Sequence, residues 1–222
     1  MNAIAYMMDI SRFGWDGPEG AREFDRLAAT LSVMRQEKIR SFRYDKGRQL
    51  SLGAGLLLDY GLRQYGLRER KVKILTGPYG KPYLADYPGI RFSLSHSGTR
   101  VMAAFSEAEI GCDVEKLAAA NDKVAGRFFA AHEKAALAGC EGEAERTALF
   151  YRIWTRKESY LKMTGEGMHV PLDSFSVLSE QELSVSCIFR DFQSDGYQAA
   201  VCASLTPGTP FFCSFQILHD VV

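Results

Sequence analysis

The stretch Trp154-Thr155-Arg156-Lys157-Glu158-Ser159-Tyr160-Leu161-Lys162 lies in a segment, residues 143–164, that reads as one long helix. Phe150, Ile153, Trp154 and Leu161 fall at three- and four-residue steps and share one apolar stripe. Glu158 and Lys162 are four apart, so they stand on one face, a turn from each other. Gly165 and Gly167 are suited to end the helix. A carboxylate beside two lysines and flanked by buried aromatics suits an anionic, metal-bound phosphate. The rest of the chain is then a search for what can meet Glu158.

Composition narrows the classes. At 222 residues the chain is one large domain or two small ones, and 46% hydrophobic residues suffice for a core. Lys plus Arg equals Asp plus Glu at 27 each, which argues against general nucleic-acid binding, a function that runs on a basic face. The five cysteines form no C-x-x-C pair and are odd in number, so they read as reduced and mostly buried, in a cytoplasmic protein. The four histidines form no H-x-x-x-H pair, and zinc is not expected. The first residues lack a basic region and a cleavage site, and no apolar run reaches membrane-spanning length.

The expected elements run as follows. Residues 2–8 read as a strand, 22–42 and 50–65 as helices, 72–75 as a strand and 77–82 as a loop. Residues 90–94 and 101–105 read as strands joined by a tight turn over 95–98, and 110–115 as a further strand. Residues 122–139 and 143–164 read as helices, and strands are expected near 175–178, 183–189, 197–203 and 211–218. The two halves share an order of strand, helices, a Gly- and Pro-bearing loop and strands. The expectation is an α+β fold of pseudo-twofold duplicated α/β halves packed against each other, each a small antiparallel sheet with helices. The halves would be 1–107 and 108–222, tightly packed, because no linker separates them.

Four groups can carry chemistry. Asp113 and Glu115 are two apart in Ile110-Gly111-Cys112-Asp113-Val114-Glu115, so in a strand both carboxylates project to one face while Cys112 and Val114 face the core. They are either a solvent-facing strand end or, with Glu158 as third ligand, a site for Mg²⁺ or Mn²⁺, which select hard oxygens. His96, in the expected turn with Ser95, Ser97 and Gly98, is either structural or a phosphate contact whose neighbouring backbone N–H groups are exposed. Residues 35–48 hold Arg35, Lys38, Arg40, Arg43, Lys46 and Arg48 against Glu37 and Asp45, an excess of four positive charges (six minus two). They are either a solvated helix face or an anion clamp. Gly80-Lys81-Pro82 is either a plain turn or a backbone fixed so as to aim Lys81 at a ligand. Ser159-Tyr160-Leu161-Lys162 matches S-x-x-K, but its S-D-N and K-T-G companions are absent.

Taken in order, several stretches resemble the 4′-phosphopantetheinyl transferase superfamily, of the monomeric, pseudo-dimeric, surfactin-synthetase-activating (Sfp) type. They are Gly80-Lys81-Pro82, Phe92 through Gly98, Ile110 through Glu115, Arg127-Phe128-Phe129 with Glu133, and Trp154 through Lys162. The pair G-x-D-x-E and W-x-x-K-E-x-x-x-K carries most of the specificity. The resemblance spans nearly the whole chain and is weakest before residue 30 and after residue 180.

The resemblance implies an enzyme that moves the phosphopantetheine arm of coenzyme A onto a serine of an apo acyl or peptidyl carrier protein and releases 3′,5′-ADP. It implies Mg²⁺ held by Asp113, Glu115 and Glu158, with Glu158, directly or through a metal-bound water, taking the serine proton. It further implies pyrophosphate contacts from Lys162 with help from Lys157, and phosphate contacts from His96 and Ser95. Lys81 and Pro82 would line the adenine side, and Arg35, Lys38 and Arg48 would hold the 3′-phosphate. Glu158, Lys162 and His96 are thus the implied catalytic residues, in a cleft between the halves of a monomer. Arg48 aligns only with a one-residue slip, and Glu133 matches a family glutamate without an assigned role. Two other functions fit the same residues: a non-catalytic coenzyme A or carrier-binding paralogue, and a metal-dependent hydrolase of nucleotide pyrophosphates.

Overall fold

A computed structural model describes residues 1–180, 183–206, 208–219 and 221, with the side chain of Met168 left out. Its elements are β1 (Asn2–Asp9), α1 (Gly17–Ala28), α2 (Val33–Ser41), α3 (Asp45–Arg63), β2 (Ile74–Thr76), β3 (Pro82–Leu84), β4 (Arg91–Ser97), β5 (Arg100–Ser106), β6 (Ile110–Lys116), α4 (Asp122–Phe128), α5 (Ala131–Ala138), α6 (Glu143–Thr164), β7 (Cys187–Ser194), β8 (Tyr197–Ser204) and β9 (Phe212–Leu218). The fold is mixed α+β. One sheet has the order β4-β5-β1-β9, a second β6-β8-β7, and β2 and β3 form a small ribbon. All pairs are antiparallel except β1 with β9. The last strand therefore returns to the first sheet and runs beside the first strand.

Alternation along β1 and β5 builds the layers. Tyr6, Met8, Val101, Ala103 and Phe105 face α3, whose Leu52, Leu56, Leu57, Leu58 and Leu62 cover that side. Ala5, Met7, Met102 and Ala104 face the other way, onto Cys112, Val114, Ala199 and Val201 of the second sheet. The far side of that sheet packs under α6 through Ile153, Tyr160, Leu161, Phe189 and Cys202. The layers are helix, sheet, sheet, helix, with a small-residue seam in the middle, where alanines let the two sheets approach closely.

Two local features fix α6 over β6. A Cβ on Gly111 would lie 1.9 Å from the Ser159 carbonyl oxygen and 2.4 Å from the Met163 nitrogen, so only glycine admits this crossing. Gly165, at φ 76°, closes the helix with its N–H bonded to the Leu161 carbonyl. The helix ends where Gly165 was expected to end it.

The structure departs from the expected elements most clearly in four places, besides β7 starting at Cys187 rather than 183 and β3 beginning at Pro82 inside the expected loop. Residues 22–42 are two helices, not one: Ser32 breaks them and accepts the Arg35 N–H as the N-cap of α2. Residues 122–139 also divide, because Phe129 is extended and fully buried between α4 and α5. Residues 175–178 are not a strand. Their backbone groups are satisfied by side chains instead, with Glu133 accepting from the Val177 N–H, Arg156 donating to the Val177 carbonyl and Lys157 donating to the Phe175 carbonyl. Lastly, residues 95–97 belong to β4 rather than to a turn. His96 pairs with Val101, and the reversal falls at Gly98 and Thr99.

The crossing at Gly111 yields a test. Gly111→Ala is expected to lower stability by about 3 kcal/mol or more, since backbone rather than a flexible side chain must move. Gly126→Ala, at a helical position with nothing within 4 Å of the added methyl, should instead be neutral or stabilising by about 0.5–1 kcal/mol. Urea denaturation of the two variants measures both.

Candidate active site

Strands β4 and β6 lie side by side at the junction of the two sheets, and serine hydroxyls bridge them. Ser93, Ser95 and Ser97, at alternate positions of β4, accept the N–H groups of Cys112, Val114 and Lys116 at 3.0, 3.4 and 3.2 Å. Each of these N–H donors sits at an alternate position of β6, so the two period-2 patterns mesh. Two of these hydroxyls also donate to the carboxylates that β6 presents between them. Ser95 reaches Asp113 Oδ1 and Ser97 reaches Glu115 Oε2, both at 2.7 Å.

From above, α6 brings Lys162 and Glu158 onto this row. Lys162 Nζ lies 2.7 Å from Asp113 Oδ1 and 3.0 Å from Ser95 Oγ. Burial works against the Lys162 charge, but the charges of Asp113 first, then Cys112 and Glu158, together with the Asp113 hydrogen bond, outweigh it and raise the ammonium's pKa. Trp154, two turns earlier, donates from Nε1 to Glu115 Oε1 at 3.3 Å. Glu158 is half-buried, and its carboxyl pKa is raised, first by burial and then by the Asp113 charge, against the pull of Lys162. Glu115 is raised too, by burial first and with Asp113 adding to it, while bonds from Ser97 and Trp154 oppose the shift.

Asp113, Glu115 and Glu158 thus lie close enough to feel one another's charge, with Lys162 acting on all of them. Among the described residues no three His, Cys, Asp or Glu side chains form a ready-made cation cluster. The donor set nevertheless suits a hard divalent cation. Asp113 Oδ2 is buried with no hydrogen-bond partner, a bare oxygen on a carboxylate whose charge reaches both Glu115 and Glu158.

A cleft of about 490 Å³ opens next to this row. Arg35 and Lys38 of α2 form one wall, Lys81 and Pro82 another, and Glu158, Leu161 and Lys162 of α6 a third. The Arg35 side chain is only 10% exposed, with Glu69 Oε1 3.9 Å from Nε. Burial lowers its pKa and Glu69 opposes the shift. Glu69 itself is tied to Ser32 through both the N–H and the hydroxyl, at 2.6 and 2.7 Å. Lys38 is lowered by burial and then by Arg35. Two crowded cations beside an open cleft suit an anion there.

The remaining expected residues fall differently. His96 is exposed beside this wall, its pKa lowered by partial desolvation of the ring and, beyond that, by the Lys162 and Lys38 charges. Ser95 is buried and spends its hydroxyl on Asp113, Lys162 and Val114. Lys81 lines the cleft, but its ammonium binds Glu109 at 2.5 Å and the Met163 carbonyl at 2.7 Å. Arg48 bonds the Phe42 carbonyl and Asp45 and is not among the residues lining this cleft. Lys157 corrects its expected role. It is fully buried on another face of α6, held by Glu133 at 2.8 Å and by the carbonyls of Leu172 and Phe175. All three of its protons are engaged away from the cleft. Glu133 thereby gains a role, as the buried counter-charge of Lys157 and acceptor for Ala130 and Val177 N–H groups.

Sequence reasoning passed over Ser97, the Trp154 indole N–H and Glu69 as parts of the site. The first two carried a legible signal: S-x-S-x-S and D-x-E share a period of two. Glu69 carried none, because its partner Ser32 lies 37 positions away.

A strand carboxylate pair meeting a helix-borne Glu and Lys, beside a cleft walled by two cations, has the chemistry a phosphoryl-handling enzyme needs. Residues 109–205 match the 4′-phosphopantetheinyl transferase superfamily. The chain is 36% identical over 208 residues to the 4′-phosphopantetheinyl transferase Sfp of Bacillus subtilis, covering 89% of this chain and 92% of that one. It is 29% identical to a Bacillus pumilus 4′-phosphopantetheinyl transferase, with 84% of each chain covered. With the 4′-phosphopantetheinyl transferase HetI of Nostoc it shares 34% identity over 71% of this chain and 68% of that one. The chain belongs to the 4′-phosphopantetheinyl transferase superfamily, as a transferase of the Sfp type. Among the described residues no helix is long and apolar enough to cross a membrane.

The assignment of Lys157 to the core has a measurable consequence. Lys157→Met leaves the Glu133 carboxylate buried without its counter-charge, so stability should fall by about 3–5 kcal/mol. Pairing it with Glu133→Gln should recover part of that loss. Denaturant unfolding of the single and double variants is the check, and a Lys157→Met protein as stable as wild type would show the pair to be dispensable.

Proposed function

We propose that the enzyme transfers the 4′-phosphopantetheine arm of coenzyme A to a serine hydroxyl of an apo acyl or peptidyl carrier protein and releases 3′,5′-ADP, with Mg²⁺ as cofactor and Mn²⁺ as a substitute. The observation that carries this reading is the bare, buried Asp113 Oδ2, on a carboxylate whose charge reaches Glu115 and Glu158, with Glu158 and Lys162 lining a cleft walled by Arg35 and Lys38. Asp113, Glu115 and Glu158 would hold the cation, which when bound supplies charge neutralisation on the pyrophosphate.

The chain's own residues act around it. Arg35 and Lys38 bind the 3′-phosphate and thereby fix the nucleotide end, with Pro82 and Lys81 against the adenine. Lys162, kept protonated by Asp113, places a positive charge on the pyrophosphate where negative charge grows in the transition state. His96 binds phosphate from its place beside Lys162 and Lys38. The carrier serine oxygen forms a bond to the phosphorus on the pantetheine side. The bridging oxygen departs with its electron pair on 3′,5′-ADP, and the serine proton goes to Glu158, directly or through a water. In this reading the cleft lies between the halves 1–107 and 108–222 of a pseudo-duplicated, monomeric, cytoplasmic enzyme.

Mass spectrometry tests the proposal. Apo carrier, coenzyme A and Mg²⁺ with the enzyme should yield a carrier heavier by one phosphopantetheine arm and stoichiometric 3′,5′-ADP. Chelating divalent ions should stop the reaction, and Mg²⁺ should restore it. Asp113→Ala should lower the rate by at least about 10³-fold, since it removes a ligand and the Lys162 partner together. Coenzyme A binding without any transfer, across a panel of carriers, would instead indicate a binding protein. Release of 3′,5′-ADP without an acceptor would indicate a hydrolase.

The nucleotide end has its own test. Arg35→Ala should raise the KM for coenzyme A by about tenfold or more, while leaving the KM for 3′-dephospho-coenzyme A much less changed. Equal effects on both substrates would remove Arg35 from the 3′-phosphate subsite.

A further inference from the structure

The three carboxylates of the site are not held alike. Glu115 is gripped on both oxygens, by the Ser97 hydroxyl at 2.7 Å and by the Trp154 indole N–H at 3.3 Å. Asp113 has one bonded oxygen and one bare. Among the described residues no hydrogen bond reaches the Glu158 carboxylate, whose surroundings act on it through burial and charge alone.

The grip on Glu115 is directional. Ser97 Oγ accepts the Lys116 N–H at 3.2 Å, so one lone pair is committed and the single hydroxyl proton is free to point at Glu115. The indole nitrogen of Trp154 only donates, and the ring is backed by Phe128 at 5.8 Å between centroids. The two donors come from opposite sides of the site, one from the edge strand β4 of the first sheet and one from α6. Glu115 is therefore fixed relative to both halves of the sequence, although it belongs to only one of them.

We propose that Ser97 and Trp154 are positioning residues that hold Glu115 as the rigid ligand of the divalent cation, leaving Glu158 and the bare oxygen of Asp113 as the side that adapts to substrate. This rests on the reading of the carboxylate trio as the cation site. A ligand locked by two donors loses little freedom on binding an ion, and it fixes where the ion sits along the cleft. A glutamate with no hydrogen bonds, such as Glu158, can turn between the ion and the incoming hydroxyl.

The test is a Mn²⁺ titration of the full chain with coenzyme A present, following free Mn²⁺ by electron paramagnetic resonance. Trp154→Phe keeps the ring against Phe128 and removes only the donor. Ser97→Ala removes the other donor, and Ser97→Thr keeps a hydroxyl there. Trp154→Phe and Ser97→Ala should each weaken Mn²⁺ binding by about tenfold, with Ser97→Thr close to wild type. The metal concentration for half-maximal transfer should rise by the same factor, while the rate at saturating metal stays within about threefold of wild type. If Ser97→Ala also weakens the seam and fails to fold, Trp154→Phe alone carries the comparison. Unchanged Mn²⁺ affinity in folded Trp154→Phe, with a rate lowered equally at every metal concentration, makes the contact merely structural and overturns the proposal. A wild-type protein that binds no Mn²⁺ overturns the cation reading itself, and this proposal with it.

Discussion

The backbone contact between α6 and β6 over Gly111 sets the distance on which the site depends. Asp113 and Glu115 lie just beyond the glycine on the strand, and Glu158 and Lys162 flank the same crossing on the helix. With any side chain at position 111 the helix would stand off, and Lys162 could not lie 2.7 Å from Asp113. A buried carboxylate without that ammonium would lose several kcal/mol of compensation, which is why the close approach and the ion pair belong to one device. The glycine of G-x-D-x-E is thus a spacing residue, and the two acids are what the spacing serves.

The hydroxyl seam extends this device across the molecule. A continuous backbone ladder between β4 and β6 would engage their N–H and carbonyl groups and leave nothing for carboxylates. Serines at alternate positions accept the N–H groups of one residue set and donate to the acids of the other. Cohesion between the two sheets comes from all three side chains, and two of them, Ser95 and Ser97, also orient the acids. The cleft-side cations follow similar logic at lower stringency. Arg35 is backed by Glu69, and Glu69 by Ser32 and the backbone, so a buried guanidinium faces the cleft at modest cost.

Much of this was legible in the residues, and what was not has physical causes. The limits of α6, the common face of Asp113 and Glu115 and the helix-ending Gly165 followed from periodicity and from left-handed glycine geometry, both local properties. The break at Ser32 was signed by an N-cap residue that the longer apolar pattern masked. The strand expected at 175–178 failed because its apolar residues fill the core under α6, while Glu133, Arg156 and Lys157 satisfy backbone groups that a neighbouring strand would otherwise bind. Those partners lie far off in sequence, and no local signal reports them. The return of β9 to pair with β1 is non-local in the same way.

Lys157 and Lys162 show how far helix geometry alone reaches. Residues on an α-helix advance by about 100° each. Lys162 therefore stands about 40° from Glu158, while Lys157 stands about 100° away on the other side, roughly 140° from Lys162. That angle already placed Lys157 off the face that Glu158 and Lys162 share, and only the adjacency of Lys-Glu in the motif drew it toward a phosphate role. The structure gives it an occupation that the angle permits: all its protons are used in the core, where it ties α6 to α5 through Glu133 and to the segment after α6 through two carbonyls. The helix that carries Glu158 is thereby anchored from behind by one lysine and tied to Asp113 in front by the other.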